Sequence, residues 1–243
     1  MKKELIKTRF SKCLDTYNDN ATVQKLMAKN LVQMISKDYC DKVLELGCGT
    51  GLLTKEVVNK ISFNSYVAID MVNCADYIKS VSSSIHFTES DIETYKTNEK
   101  YNLILSNASL QWLDNLDTFI ENIKTILDGQ FLFTVFGGDN FTEMKSFITS
   151  PLKYYSVDEL KELLADFDMT EIKESKEILE FSTPLEVLHH IKYTGVNALS
   201  ETKWTKKDLS EFLKNYPKTD EGKYTLTYHP IYISGKSNSK NNR

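Results

Sequence analysis

The sequence predicts an α/β protein built on an open, mostly parallel sheet flanked by helices. Three observations predict it. Short apolar runs at Lys42–Leu46, Tyr66–Asp70, Tyr101–Ser106 and Gly129–Phe136 have the length and composition of buried strands, and helix-period segments stand between them. The first run ends in the glycine turn Gly47-Cys-Gly-Thr-Gly51, which leads into the helical pattern Leu52–Val58. The following runs close on polar residues: Asp70, then Asp91 after Ser84–Ser90, then Asn107. In open parallel sheets ligands bind beyond the carboxyl ends of the strands, so Gly47, Asp70, Asp91 and Asn107 are expected on one rim.

The remaining elements follow in order. Val23, Met27, Leu31 and Met34 recur at helical spacing, with Lys25 and Lys29 on the other side, so residues 21–36 form a helix within an N-terminal helical cap over residues 1–37. Asp70 lies about twenty residues past the last glycine, where an acid of such a fold meets a ribose diol. A helix N-cap is the alternative role for a strand-end Asp. Asp117–Leu127 is a helix, Tyr154–Phe167 is amphipathic, and Thr170–Glu180 alternates as one strand. Pro184–Leu199 and Thr205–Tyr216 are two helices inserted, over about residues 184–219, before a last strand at Lys223–Ser234. Residues 1–236 are expected to be a single domain, followed by a polar tail at 237–243 that frays.

Composition bounds the function. At 243 residues and a formal net charge of −4, the chain does not suit a protein that grips nucleic acid through its phosphates. No run of about 18 apolar residues occurs and the N-terminus lacks an apolar signal core, so a soluble, untargeted, cytoplasmic protein with no membrane partner is expected. Cys13, Cys40, Cys48 and Cys74 have no metal-like spacing with one another or with the four histidines, and are expected as reduced thiols with no metal. Arg9 and Arg243 are the only arginines among 30 basic residues, so lysine point charges must replace guanidinium forks in any carboxylate recognition.

The loop itself is GxGxG. A dinucleotide fingerprint needs a third glycine at the sixth motif position, and Leu52 stands there. With Glu45 two residues before Gly47, the pattern resembles motif I of the S-adenosylmethionine-dependent methyltransferases with a Rossmann-like fold. The wider chain resembles the malonyl-acyl-carrier-protein O-methyltransferase family of biotin synthesis. The segments that carry this are Phe10 with Tyr17 and Gln24, the loop Glu45–Gly51, Ser106-Asn-Ala-Ser-Leu-Gln-Trp112, Phe136-Gly-Gly-Asp-Asn-Phe-Thr-Glu143, Tyr193-Thr-Gly-Val-Asn-Ala-Leu199 and Thr225-Leu-Thr-Tyr-His229.

The resemblance implies a seven-stranded sheet in the order 3-2-1-4-5-7-6 with strand 7 antiparallel, and helices covering the site. It implies S-adenosyl-L-methionine as donor, S-adenosyl-L-homocysteine as product, and methylation of the free carboxylate of malonyl-acyl carrier protein. The donor is expected to contact Tyr17, Gln24, Glu45, Gly47, Gly49, Gly51, Asp70, Met71, Asp91, Ile92, Asn107 and Ala108. Tyr17, Asn107 and Trp112 are expected to position the reactants. A carboxylate nucleophile, with a reference pKa of about 4, needs no general base at neutral pH.

An acidic carrier would need a local positive surface on this acidic chain. At 100° per residue, Lys203, Lys207 and Lys214 share the helix face opposite Leu209, Phe212, Leu213 and Tyr216. Over residues 1–37, which include Arg9, basic residues outnumber acidic ones by eight to three. A monomer is expected. The alternatives are a small-molecule methyltransferase acting on a free acid or quinone, and a non-catalytic nucleotide-binding or NAD-dependent protein.

Overall fold

The computed structural model describes residues 3–148, 152–194 and 204–238. Its centre is a seven-stranded sheet of β1 (Tyr39–Leu46), β2 (Ser62–Asp70), β3 (His86–Glu89), β4 (Tyr101–Ser106), β5 (Leu127–Phe136), β6 (Asp168–Glu174) and β9 (Pro230–Lys236), in the order β3-β2-β1-β4-β5-β9-β6. The pairs from β3 through β5 are parallel, whereas β9 runs antiparallel to both β5 and β6. With β9 as the seventh strand of this sheet, the order implied by the resemblance is the order observed.

Two predicted strands are each split in two. Thr170–Glu180 divides into β6 and β7 (Glu177–Phe181), and Lys223–Ser234 divides into β8 (Tyr224–Tyr228) and β9; β7 and β8 form a separate two-stranded sheet. Both breaks fall at one level, where Ser175 N–H donates to the Pro230 carbonyl at 3.0 Å. Pro230 has no N–H to continue a ladder, and the His229 N–H turns aside to Asn140 Oδ1 at 3.3 Å. The chain therefore changes sheets there.

Helices cover both faces. Helices α1 (Lys3–Ser11), α2 (Leu14–Asn20) and α3 (Thr22–Val32) precede the sheet, and α3 buries Val23, Gln24, Met27, Ala28, Leu31 and Val32. Helices α4 (Leu52–Lys60), α5 (Ala75–Val81) and α6 (Leu116–Ile126) are the crossovers; α6 sets Phe119, Ile120 and Ile123 against Phe131 and Phe133 of β5. Burying such an apolar face, at about 1.5–3 kcal/mol per side chain, fixes the helix more than its propensity does. Helix α7 spans only Val157–Leu163 of the amphipathic stretch, because Ser156 and Glu159 form a capping box that starts it late.

Of the insert, the described part contains α8 (Pro184–Tyr193) and α9 (Lys206–Asn215); the predicted helical continuation to Leu199 lies outside the described residues. Of the expected apolar face, Phe212 in α9 and Tyr216 at its C-cap are buried and Leu209 is half-buried, whereas Leu213 is 41% exposed. Among the described residues no helix is long and apolar enough to cross a membrane.

Candidate active site

A cleft whose space, counting its mouth open to solvent, is about 1200 Å³ follows the carboxyl ends of β3, β2, β1, β4 and β5. Four strand intervals of about 4.8 Å make this rim on the order of 19 Å long. The cleft is lined by Tyr17, Gln24, Glu45, Gly47, Gly49, Asp70, Met71, Asp91, Ile92, Asn107, Ala108 and Trp112, so twelve of the residues expected from sequence meet there. Gly51 does not line it. At φ 81° it caps α4, and a Cβ there would face Val81 and Ile78 of α5, so its place in the turn, not ligand approach, accounts for it.

The glycine loop is held from beneath. Gly47 and Cys48 N–H groups both donate to the Ile69 carbonyl, at 2.8 and 3.0 Å. Gly47 has φ 75°, and a Cβ on it would stand 2.5 Å from Ser109 Cβ, so glycine is required on two counts. Burial pushes the Cys48 thiol well up, which makes it a packing group and not a nucleophile.

Asp70 ties the loop to β2. Its Oδ2 accepts from Gly49 N–H and its Oδ1 from Val72 N–H, both at 2.9 Å. Burial pushes its carboxyl up to about 6, against the pull of these backbone donors. Glu45 is 1% exposed, and its Oε2 accepts from Thr54 Oγ1 at 2.8 Å and from the Tyr66 hydroxyl. Desolvation raises it to about 7, with those two donors opposing. Glu45 therefore braces α4 against β1 and β2 while lining the cleft.

Beyond β4 the backbone is strained at Ala108, φ 51°, where a non-glycine residue costs roughly 1–2 kcal/mol. Its N–H donates to Thr134 Oγ1 at 2.9 Å, and Thr134 donates to Asn107 Oδ1 at 2.7 Å. Asn107 Nδ2 in turn donates to the Gln24 carbonyl at 3.1 Å, linking α3 to the end of β4. Both polar ends of Asn107 are thus engaged within the protein, which gives it a framing role at the rim.

Two buried acceptors in this wall have no donor: Gln24 Oε1 and Gln111 Oε1, in side chains only 3% and 8% exposed. A buried acceptor left unmet costs about 1–3 kcal/mol, so these two oxygens call for a partner from outside the protein chain, a water or a ligand. Gln111 lies inside the quoted segment 106–112, but nothing in its sequence separates it from Asn107 or Trp112. Ser109, Asn140, Tyr154 and Thr194 also line the cleft without having been expected.

The cap is closed by the N-terminal helices. Phe10 lies over Gly49, 3.3 Å from where a Cβ would stand, and meets Tyr17 edge-on at 5.2 Å. Thr50 Oγ1 donates to Asn18 Oδ1 at 2.6 Å, fastening α2 to the loop. Burial and the charge of Asp70 push the Tyr17 hydroxyl up, so it stays protonated. At the β3 end, Lys3 Nζ pairs with Asp91 and Glu93, each at 2.5 Å.

Lys3 is the one cationic side chain lining the cleft among the described residues, and it is already paired. Arg9, Lys207 and Lys214 lie outside the lining, Lys207 being 3.8 Å from Glu211, and Lys203 lies outside the described residues. His190 is pushed down to about 4 by burial, faces the Tyr228 hydroxyl at 2.8 Å, and is not in the lining.

A mostly parallel sheet of this order with one antiparallel strand, a glycine turn after β1 and acids after β2 and β3 defines a methyltransferase of the Rossmann-like type. The model of the methyltransferase domain family matches residues 20–174. Malonyl-[acyl-carrier protein] O-methyltransferases are similar over almost the whole chain. That of Calditerrivibrio nitroreducens is 36% identical, covering 96% of this chain and 97% of its own. That of Haemophilus influenzae is 34% identical, covering 95% and 93%. The chain belongs to the methyltransferase domain family and, within it, to the malonyl-[acyl-carrier protein] O-methyltransferase family.

The N-methyltransferase NodS of Bradyrhizobium japonicum, solved with S-adenosyl-L-homocysteine, shares the fold at TM-score 0.57 and 12% identity, over 96% of this chain and 98% of its own.

Proposed function

We propose that this protein methylates the free carboxylate of malonyl-acyl carrier protein, using S-adenosyl-L-methionine, as an early step of biotin synthesis. The observation that carries the reading is similarity to the named relatives over 95% or more of the chain, cap and insert included. The donor supplies an electrophilic methyl group on a sulfonium. The cleft fits it: a glycine cradle that a Cβ at Gly47 would fill, a buried carboxylate at Asp70, and two buried acceptors at Gln24 and Gln111.

In this reading Asp70 accepts from the ribose hydroxyls, Asp91 and Ile92 border the adenine, and Gly47 and Gly49 approach the methionyl part. Gln24 and Gln111 offer oxygens to N–H donors of the ligand. Tyr17 folds over the reacting centre with its proton retained, and Trp112 borders it from the short helical turn Leu110–Trp112 after β4. No residue need remove a proton, because the acceptor is ionised at neutral pH. The chain's contribution is alignment, which can supply on the order of 7–11 kcal/mol.

Residues 1–236 act in this reading as one domain, with the N-terminal helices and the insert as its cap, and Arg9, Lys203, Lys207 and Lys214 as the surface that meets the acidic carrier. The test is mass spectrometry of malonyl-acyl carrier protein, malonyl-CoA and free malonate after incubation with donor. A gain of one methyl group on the carrier-linked malonyl group is expected. No methylated carrier, with methylation of a free acid instead, would replace this reading by a small-molecule one.

A further inference from the structure

Helix α1 lies along the donor half of the cleft. Lys3, Ile6 and Phe10, at helical positions i, i+3 and i+7, all line it. Phe10 covers Gly49 after β1, while Lys3 reaches Asp91 and Glu93 beyond β3. Seven helical residues rise about 10.5 Å, and the two strand intervals from β3 to β1 span about 9.6 Å. One face of α1 thus roofs the rim from the acids after β3 to the glycine loop.

Two lysines of α1 tie this roof to the β3 end. Lys3 Nζ pairs with Asp91 and Glu93, each at 2.5 Å, and Lys7 Nζ pairs with Glu89, the last residue of β3, at 2.8 Å. The acids they grip are themselves held. Asp91 Oδ1 accepts from Glu93 N–H at 3.0 Å, and Glu93 Oε2 and Oε1 accept from the Asp114 and Asn115 N–H groups at 3.1 and 2.6 Å, just before α6. The bridges, however, face water: the Lys7 and Glu89 side chains are 41% and 43% exposed. Ion pairs open to solvent are weak and screened by salt, so α1 can part from these acids without disturbing the sheet.

Resting on the donor assignment above, we propose that Lys3 and Lys7 are positioning residues that latch α1 over the donor, so that S-adenosyl-L-methionine enters and S-adenosyl-L-homocysteine leaves by unlatching the β3 end of the roof. Every partner in the latch belongs to the protein, so the latch closes with or without the donor. It therefore slows entry and exit together and leaves affinity nearly unchanged, because an interaction made equally in both states shifts no equilibrium. Release of the product through such a lid is a step that can limit turnover.

The test is stopped-flow binding of S-adenosyl-L-homocysteine to the full-length protein, followed by the fluorescence of Trp112 in the cleft lining, with calorimetric titration for affinity. All arms are run at pH 8, where Asp70, held near 6, is ionised. Lys7→Glu sets like charges against Glu89, and association and release are both expected to quicken at least threefold while affinity stays within twofold. Lys7→Glu with Glu89→Lys rebuilds the bridge with its charges exchanged and is expected to restore both rates. Raising salt from about 0.05 to about 0.5 M is expected to quicken exchange in wild type and not in Lys3→Met/Lys7→Met, because screening already weakens exposed pairs over that range.

Lys7→Glu rates equal to those of wild type, or a loss of affinity that the exchanged pair does not repair, would overturn this inference alone. A wild-type chain that fails to bind S-adenosyl-L-homocysteine would overturn the donor assignment and the inference together.

Discussion

Asp70→Asn tests the donor half of the cleft most directly. In the wild type each carboxylate oxygen already accepts one backbone N–H, Oδ2 from Gly49 and Oδ1 from Val72. In the proposed reading, the remaining lone pairs accept from a ribose diol. Asparagine keeps one oxygen and turns the other into a donor facing either a backbone N–H or a ribose hydroxyl. At least one charge-assisted bond, about 1.5–3 kcal/mol, is lost, which converts to roughly 10- to 150-fold in affinity.

The pH dependence has a definite sign. Burial holds Asp70 near 6, so the carboxylate proposed to accept the ribose hydroxyls is progressively protonated below that pH. At pH 5 about a tenth remains ionised, and wild-type affinity for S-adenosyl-L-homocysteine should be about tenfold weaker than at pH 8. Calorimetric titration of wild type and Asp70→Asn at pH 5, 6, 7 and 8, with circular dichroism to confirm folding, reads both effects. A folded Asp70→Asn protein that binds within threefold of wild type at pH 8, or a wild-type affinity flat from pH 8 to 5, would refute the reasoning.

Three further outcomes are expected. Glu45, raised by desolvation to about 7 from 4.5, binds a proton more tightly when folded, so stability falls as pH rises between those values, by about 3 kcal/mol. Glu45→Gln should flatten that slope, since one oxygen suffices for Thr54 and Tyr66, and urea midpoints at pH 5 and 8 measure it. Gly47→Ala should abolish detectable donor binding and lower stability; Ser109→Gly in the same chain should relieve the clash but leave about 1–2 kcal/mol of left-handed strain, seen in thermal melts. Lys207→Glu with Lys214→Glu should lower kcat/KM for malonyl-acyl carrier protein and not for malonyl-CoA, with the difference shrinking as salt rises, because exposed charges act over roughly 10 Å at 0.1 M salt. Equal losses on both substrates would make those lysines plain solvated surface.

The rim was legible in the sequence because its signals are local. An apolar run closing on Gly47, Asp70 or Asn107 states where a strand ends, and a parallel sheet brings those ends together whatever the loops between them do. The glycine spacing likewise separated this loop from a dinucleotide site through Leu52 alone. What the sequence left open was settled by contacts between segments far apart in the chain. Thr170–Glu180 alternates without a break, and only Pro230, meeting Ser175 across the sheet, shows why it divides. Gly51 carries the same motif letter as Gly47, yet the packing of α5 turns it away from the cleft. Lys3 could have served any carboxylate until Asp91 and Glu93 claimed it. Asn140 and Tyr154 are 14 positions apart with no spacing to connect them, and His229, 89 positions from Asn140, fixes the amide that faces the tyrosine. Strand ends are written in short apolar patterns, whereas hydrogen-bond partners in a cleft are chosen by three-dimensional proximity, which no local pattern encodes.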